Sequence, residues 1–395
     1  MEEATSGVPG GQRWSDELLD RMRQVADPVT DPLIDEVIRD GGAEALRRLN
    51  RFLQTWNAPI TDEVPAGVRD FLAAPLTFPP WVDEAQLARG QELFRQHGIE
   101  TLLVLFLKSL PQYFANADGD QSFSRADIFD PRMVRRLLLE VAQLLLDVAV
   151  LGSLRVEPRK STGVYALQKL RLHHSIVRAW VLPDPRLPPQ KLTPWRPEWG
   201  KPINQEDIAG AIVAFTVWDL EGLAKVGLDL PANDRDATRI YWQVIGWLLG
   251  MDEVLQPADL TDATELLAAV DHRQFRHSAE GTTLVRQLLA VPQSFLPRFL
   301  DGVPVWIMRR LMSPRFVRLL DVPRTGLLTN LVLTALYALL GHRALHRTVD
   351  HVGRRFLRGA QTAEGRHGDR GELRMPPEVE SRVVRTGSAE SPASG

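Results

Sequence analysis

The stretch "VDEAQLARGQELFRQHG", residues 82 to 98, decides the fold class. Its apolar residues recur at helical spacing, acids open it, bases close it, and Gly98 stands where a helix C-cap would fall. Working outward, "SDELLDRMRQVADPV" (15 to 29) repeats the pattern, with Ser15 as N-cap and a proline to end it. The same periodicity predicts helices at about 99 to 115, 131 to 152, 162 to 181, 205 to 225, 233 to 250, 260 to 270, 278 to 290 and 326 to 358. Alternating β-branched runs punctuated by turn dipeptides do not occur, so the expected fold is all-α.

Composition narrows the chemistry. The 395 residues carry 47 basic and 50 acidic side chains, a net charge of -3, so no global field argues for nucleic acid. There is no cysteine, which removes disulfides, thiolate metal sites, a cysteine nucleophile and thiolate-ligated haem. The first dozen residues lack the basic and apolar regions of an export signal, which predicts a cytoplasmic protein. "GLLTNLVLTALYALLG" (326 to 341) falls short of the roughly 20 apolar residues that span a bilayer. It reads as a buried helix, with contact to a membrane surface as the alternative. The expected organisation is a flexible N-terminus over 1–12, one helical unit over 13–360 and a mobile polar tail over 361–395. The proline-rich segment 183–204 cannot be helical, and its tryptophans favour an ordered loop over a linker.

One stretch carries specific chemistry: "KLRLHHSIVRAW", residues 169 to 180. With Arg171 at zero on a helical wheel, His174 falls at about 300° and Arg178 at about 340°, whereas His173 sits near 200°. Two cations beside His174 disfavour the imidazolium and leave a nitrogen free to accept a metal. The arginines need anions, and haem offers an iron and two carboxylates in one disc. A hydrogen-bonded core histidine beside solvated arginines fits the same wheel. A second helix, "RRLLLEVAQLLLDVAV" (135 to 150), places Arg136, Glu140, Gln143 and Asp147 in one thin polar seam among leucines. Such a seam lines a cavity or forms a wet edge. In a cavity the Glu140 carboxyl would rise towards neutrality and serve as acid or base, with Arg136 opposing the rise.

The ordered blocks "RLHHSIVR", "GKPINQEDIAGAIVAFT" (200 to 216), "LKSLPQYFANADGDQSF" (108 to 123) and "YWQVIGWLLGMDEVLQP" (241 to 257) resemble the haem b oxygenases of the latex-clearing (rubber oxygenase) and MpaB family. The resemblance covers roughly residues 85 to 330. It implies an all-α, globin-like core holding one haem b, with His174 as proximal iron ligand, Arg171 and Arg178 beside the haem, and the Arg136–Glu140 helix on the distal side. Rubber-cleaving members carry a lysine followed by a threonine there, and this chain has Glu140 and Val141. Glutamate accepts or relays protons where lysine donates, so polyisoprene cleavage is not carried over.

The implied activity is oxidation of a small apolar compound by dioxygen or peroxide, with cleavage of a carbon–carbon double bond as one form. Glu140 and Arg136 are then the distal pair. The alternatives are a non-catalytic haem sensor and a haem-free interaction protein. "PINQEDIAG" reads as a helix start capped by Asn204, with Glu206 or Asp207 as candidates to steady a partner of His174. His272 and His277 are too awkwardly spaced to close a metal site, and His342 with His346 sits among arginines that repel a dication.

Overall fold

The computed structural model describes residues 13–54, 60–125, 141, 143–157, 160–188, 194–294 and 296–340. Among them the chain is all-α, and the extended contact found is a single bridge between Asn116 and Phe275. The segments 1–12 and 361–395, expected to be flexible, lie outside the described residues.

The helix starts are chemically specified. The Ser15 hydroxyl accepts from the Leu18 amide, Asp83 accepts from Ala85 and Gln86, and Asn204 and Asp207 close a reciprocal capping box. Gly98 does not end its helix, contrary to the reading of that stretch. Glu84–Val104 bends at His97 (φ -124°, ψ 24°), continues through the glycine and passes into a π-turn over Leu105–Ser109. The cause is burial: Ile99, Leu102, Leu103 and Val104 are all enclosed. Each such side chain contributes roughly 1.5–3 kcal/mol, against about 1 kcal/mol for a glycine within a helix.

Two apolar clusters organise the molecule. The larger joins Glu84–Val104, Gln205–Lys225, Ala232–Leu248 and Leu260–Gln274. Its first and third helices nearly touch at Gly90, where a β-carbon would meet the Ala237 carbonyl at 2.6 Å. The smaller cluster lies between Thr30–Gln54, Ala66–Ala73 and one face of Thr162–Val181. Thr162–Val181, the histidine helix, therefore runs between both. Val164, Ala166 and Leu167 face the larger cluster, and Leu172 and Ile176 face the smaller. The proline-rich segment is ordered where it is described: Trp195 is buried, donates to the Gly200 carbonyl at 2.7 Å, and stacks edge-on against Trp199.

Candidate functional site

The two histidines have different surroundings. His173 Nδ1 lies 2.9 Å from Asn50 Oδ1, and burial pushes its pKa down to about 4. His174 keeps some accessible surface, yet its Nδ1 is enclosed and has no hydrogen-bond partner. Its pKa falls to about 3, first through burial, then through Arg178 and His173, with Asp27 acting weakly the other way. The sequence reading assigned that neutrality to two arginines; burial is the larger cause and Arg178 the principal cation. An imidazole uncharged across the physiological range, with one nitrogen unclaimed by the fold, is in the state a metal ligand requires.

Arg171 and Arg178 find their anions within the protein. Arg171 grips Asp27 through two bonds of 2.5 and 2.9 Å. Burial alone would raise Asp27, but Arg171 and the amides of Thr30 and Val29 hold it at about 2. Arg178 donates to Asp31 at 2.8 Å, to the Ile203 carbonyl at 3.0 Å and to Ser175 Oγ at 2.8 Å. The forks that the sequence reading gave to propionates are thus engaged by two aspartates at the start of the first long helix. Gly250, at φ 86°, backs onto Arg171, and a β-carbon there would stand 2.5 Å from its Nε. Only glycine combines that backbone with that proximity.

The aspartates are themselves held by "PINQEDIAG". Gln205 donates its amide N–H to the Val25 carbonyl at 3.0 Å and its side chain to the Ala26 and Gly250 carbonyls at 2.8 and 3.0 Å. Glu206, fully buried, accepts from Arg23 and Arg273, both at 2.9 Å. Burial would lower Arg23, and Asp207 and Glu206 together outweigh it. Asp207 is bound by Asn116 and Asn204. Neither Glu206 nor Asp207 reaches His174, so the idea that one steadies a direct partner of that histidine is corrected. Their influence runs through the segment carrying Asp27 and Asp31. Those two aspartates, Asn50 and Arg23 were missed from sequence; a carboxylate before a proline signals only a helix start.

Arg136 and Glu140 lie outside the described residues. The described part of their seam pairs with itself, Gln143 donating to Asp147 at 2.7 Å while Leu144, Leu145, Leu146 and Val148 are buried. His342 and His346 also lie outside. His277 Nδ1 sits 2.8 Å from the Leu319 carbonyl. Among the described residues no group of three or more ligating side chains is placed to hold a metal ion. A porphyrin iron needs a single imidazole from the protein.

Acid should destabilise the protein early. Both histidines have folded pKa values below 6.5, so the unfolded chain binds protons first and stability falls as pH drops from about 6.5 towards 4 and then 3. The contribution of Asp27, present above its ordinary 3.8, is lost later, as pH approaches 2. Urea midpoints at pH 7.5 and 5 should differ by on the order of 2 kcal/mol per buried imidazole. Coincident midpoints would show that the rings are not buried neutral.

With this geometry in view, comparison with known proteins defines the class. Residues 105–356 match the family model "ER-bound oxygenase mpaB/B'/Rubber oxygenase, catalytic domain", and the chain belongs to that family. A relative is the rubber oxygenase of Streptomyces sp. (strain K30), 24% identical over 288 residues, 68% of this chain and 63% of that protein. The match therefore spans less than two thirds of that relative's length. The fold is similar to that in a structure of latex clearing protein LCP in the closed state, with TM-score 0.62 and 20% identity, covering 89% of this chain and 92% of the other. No helix among the described residues is long and apolar enough to cross a membrane.

Proposed function

We infer that this chain is a haem b oxygenase of small apolar compounds, with His174 as the iron's protein ligand. The observation that carries the reading is the imidazole of His174, neutral and with an enclosed nitrogen that nothing in the described fold satisfies. Leaving such a nitrogen unpaired costs about 1–3 kcal/mol, and sites that bind ligands retain such costs. The residues present fit the group: one uncharged imidazole on a rigid helix, fixed in place by Arg171–Asp27 and Arg178–Asp31 on either side.

When bound, haem iron supplies the activation of dioxygen or peroxide. The chain's own contribution is positional and electrostatic. Arg178 keeps a proton off His174, and the two ion pairs fix the turn of helix that presents it. Direct engagement of carboxylates on a cofactor by Arg171 or Arg178 would be shared with Asp27 and Asp31. Glu140, with Arg136 four residues before it, is the proposed acid or base on the opposite side, holding or releasing a proton at its carboxyl. Support for a substrate other than rubber is the Glu140–Val141 pair where rubber-cleaving members have lysine and threonine. Cleavage of a carbon–carbon double bond is the reaction form the family relationship favours.

The test is an absorption spectrum of the purified protein with and without added haemin. A Soret band with near-stoichiometric haem is expected, followed by dioxygen-dependent turnover of an unsaturated apolar compound. A protein that refuses haemin ends this reading and leaves an interaction role. Full haem occupancy with no turnover of any unsaturated compound tried, and with Glu140→Gln spectrally silent on adding oxidant, would overturn the enzymatic part.

A further inference from the structure

The helix Leu327–Leu340, "LLTNLVLTALYALL", contains no charged residue. A helix half-embedded in a water-soluble surface normally turns charged or strongly polar side chains outwards. Here the inner face is occupied: Leu333 packs on the larger core, and Thr329 lies against Gly302. The outer face is bare. Leu327 is 85% exposed, Leu331 66% and Val332 53%, and Ala335 and Ala338 are exposed beside them. Leu327, Leu331, Ala335 and Ala338 fall within about 80° of one another on the helical wheel, so they form one stripe.

Charge is segregated around this stripe. From Arg309 to Arg358 the sequence carries ten arginines and two aspartates, within a chain whose net charge is -3. Arg318 and Arg324, in the described approach to the helix, are exposed. An uncharged apolar blade flanked on both sides by guanidinium groups is complementary to one kind of surface, an apolar layer beneath a sheet of negative charge.

We propose that Leu327–Leu340 and its arginine flanks form a docking surface for anionic phospholipid membranes. The helix lies in the interface and does not cross it. Its 14 residues extend about 21 Å, short of the roughly 30 Å hydrocarbon thickness. The leucines enter the acyl boundary, and the arginines engage headgroup phosphates. The proposal is independent of the cofactor. It gives a chain that acts on apolar compounds a position beside the phase in which such compounds dissolve.

The experiment is co-sedimentation of the full-length protein with vesicles of phosphatidylcholine alone or with about 30 mol% phosphatidylserine, at low salt and at about 0.5 M salt. The protein should sediment with the anionic vesicles at low salt, and little with neutral ones. Two variants should each lower the partition constant at least about tenfold, L327D/L331D through the apolar stripe and R354A/R355A/R358A through charge. Because Leu327 and Leu331 are exposed, the first variant should keep the wild-type circular dichroism spectrum and melting temperature. Absence of vesicle binding, or equal binding to both compositions, overturns the proposal. So does a dimer, seen by light scattering, that L327D/L331D converts to monomer, because the stripe would then be covered by a second copy.

Discussion

His174→Ala is expected to purify without a Soret band, while His173→Ala retains one of near wild-type intensity. The histidines are adjacent in sequence, about 100° apart on the helix, and differ in what claims their nitrogens. His173 is bound to Asn50; the enclosed nitrogen of His174 has no partner. The stability of the cofactor-free protein should show the reverse order. His173→Ala breaks a buried hydrogen bond and strands Asn50, a loss of about 1–3 kcal/mol by urea unfolding. His174→Ala removes a nitrogen that was already unsatisfied, so it should lose less than that. Two assays with opposite rank orders separate a ligand from a core histidine, since a merely structural His174 would fail both or neither. Added imidazole should restore part of the Soret absorbance in His174→Ala, because it supplies the missing nitrogen to the space the side chain leaves. If His173→Ala is the colourless variant, the assignment of the ligand is wrong.

The all-α class, and the spans of the histidine helix and of Gln205–Lys225, were legible because amphipathic spacing, capping residues and flanking prolines agreed there. Thr30–Gln54 was not anticipated. Prolines near its start and the pair Gly41–Gly42 within it read as breaks, and the structure does break there, with Gly42 at φ 56°, but the chain resumes its helix. What carries it across is burial of Ile34, Ile38, Leu46 and Leu49 on one side, a tertiary effect no local window contains. The same holds for Gly98.

The site divides along the same line. A wheel can place His174, Arg171 and Arg178 on one edge because those positions are local. It cannot show that Asp27 and Asp31, about 145 residues away, answer the two guanidiniums. The anion demand was read correctly, and its supplier came from the fold. Likewise the capping box at Asn204 was visible, but the use of the next three residues was not. Gln205 ties down the chain at Ala26, and Glu206 holds Arg23 from the same segment. That motif positions the aspartates, which position the arginines, which flank the imidazole.

The second large effect follows from that chain of contacts. Glu206→Ala should destabilise the protein by about 3–5 kcal/mol, the range found when one partner of a buried ion pair is removed. Arg23, 5% exposed, would keep its Trp199 carbonyl at 2.8 Å and Asp207 at 3.6 Å but lose its closest carboxylate. Arg273 suffers less, since it also reaches Asp16 and Asp20 near solvent. Arg273→Ala should therefore cost clearly less than Glu206→Ala, because exposed partners contribute about 0–1 kcal/mol each. Glu206→Gln, which preserves shape and accepts one hydrogen bond, should fall between them. Denaturant unfolding checks the order. If the segment from Arg23 to Asp31 transmits the effect, Glu206→Gln at a temperature where it is fully folded should also raise the pKa of Asp27, read by carboxyl NMR titration. Equal stability of Glu206→Ala and Arg273→Ala would mean that the buried carboxylate is not the keystone of this network, and an unmoved Asp27 would mean that the motif acts on Arg23 alone.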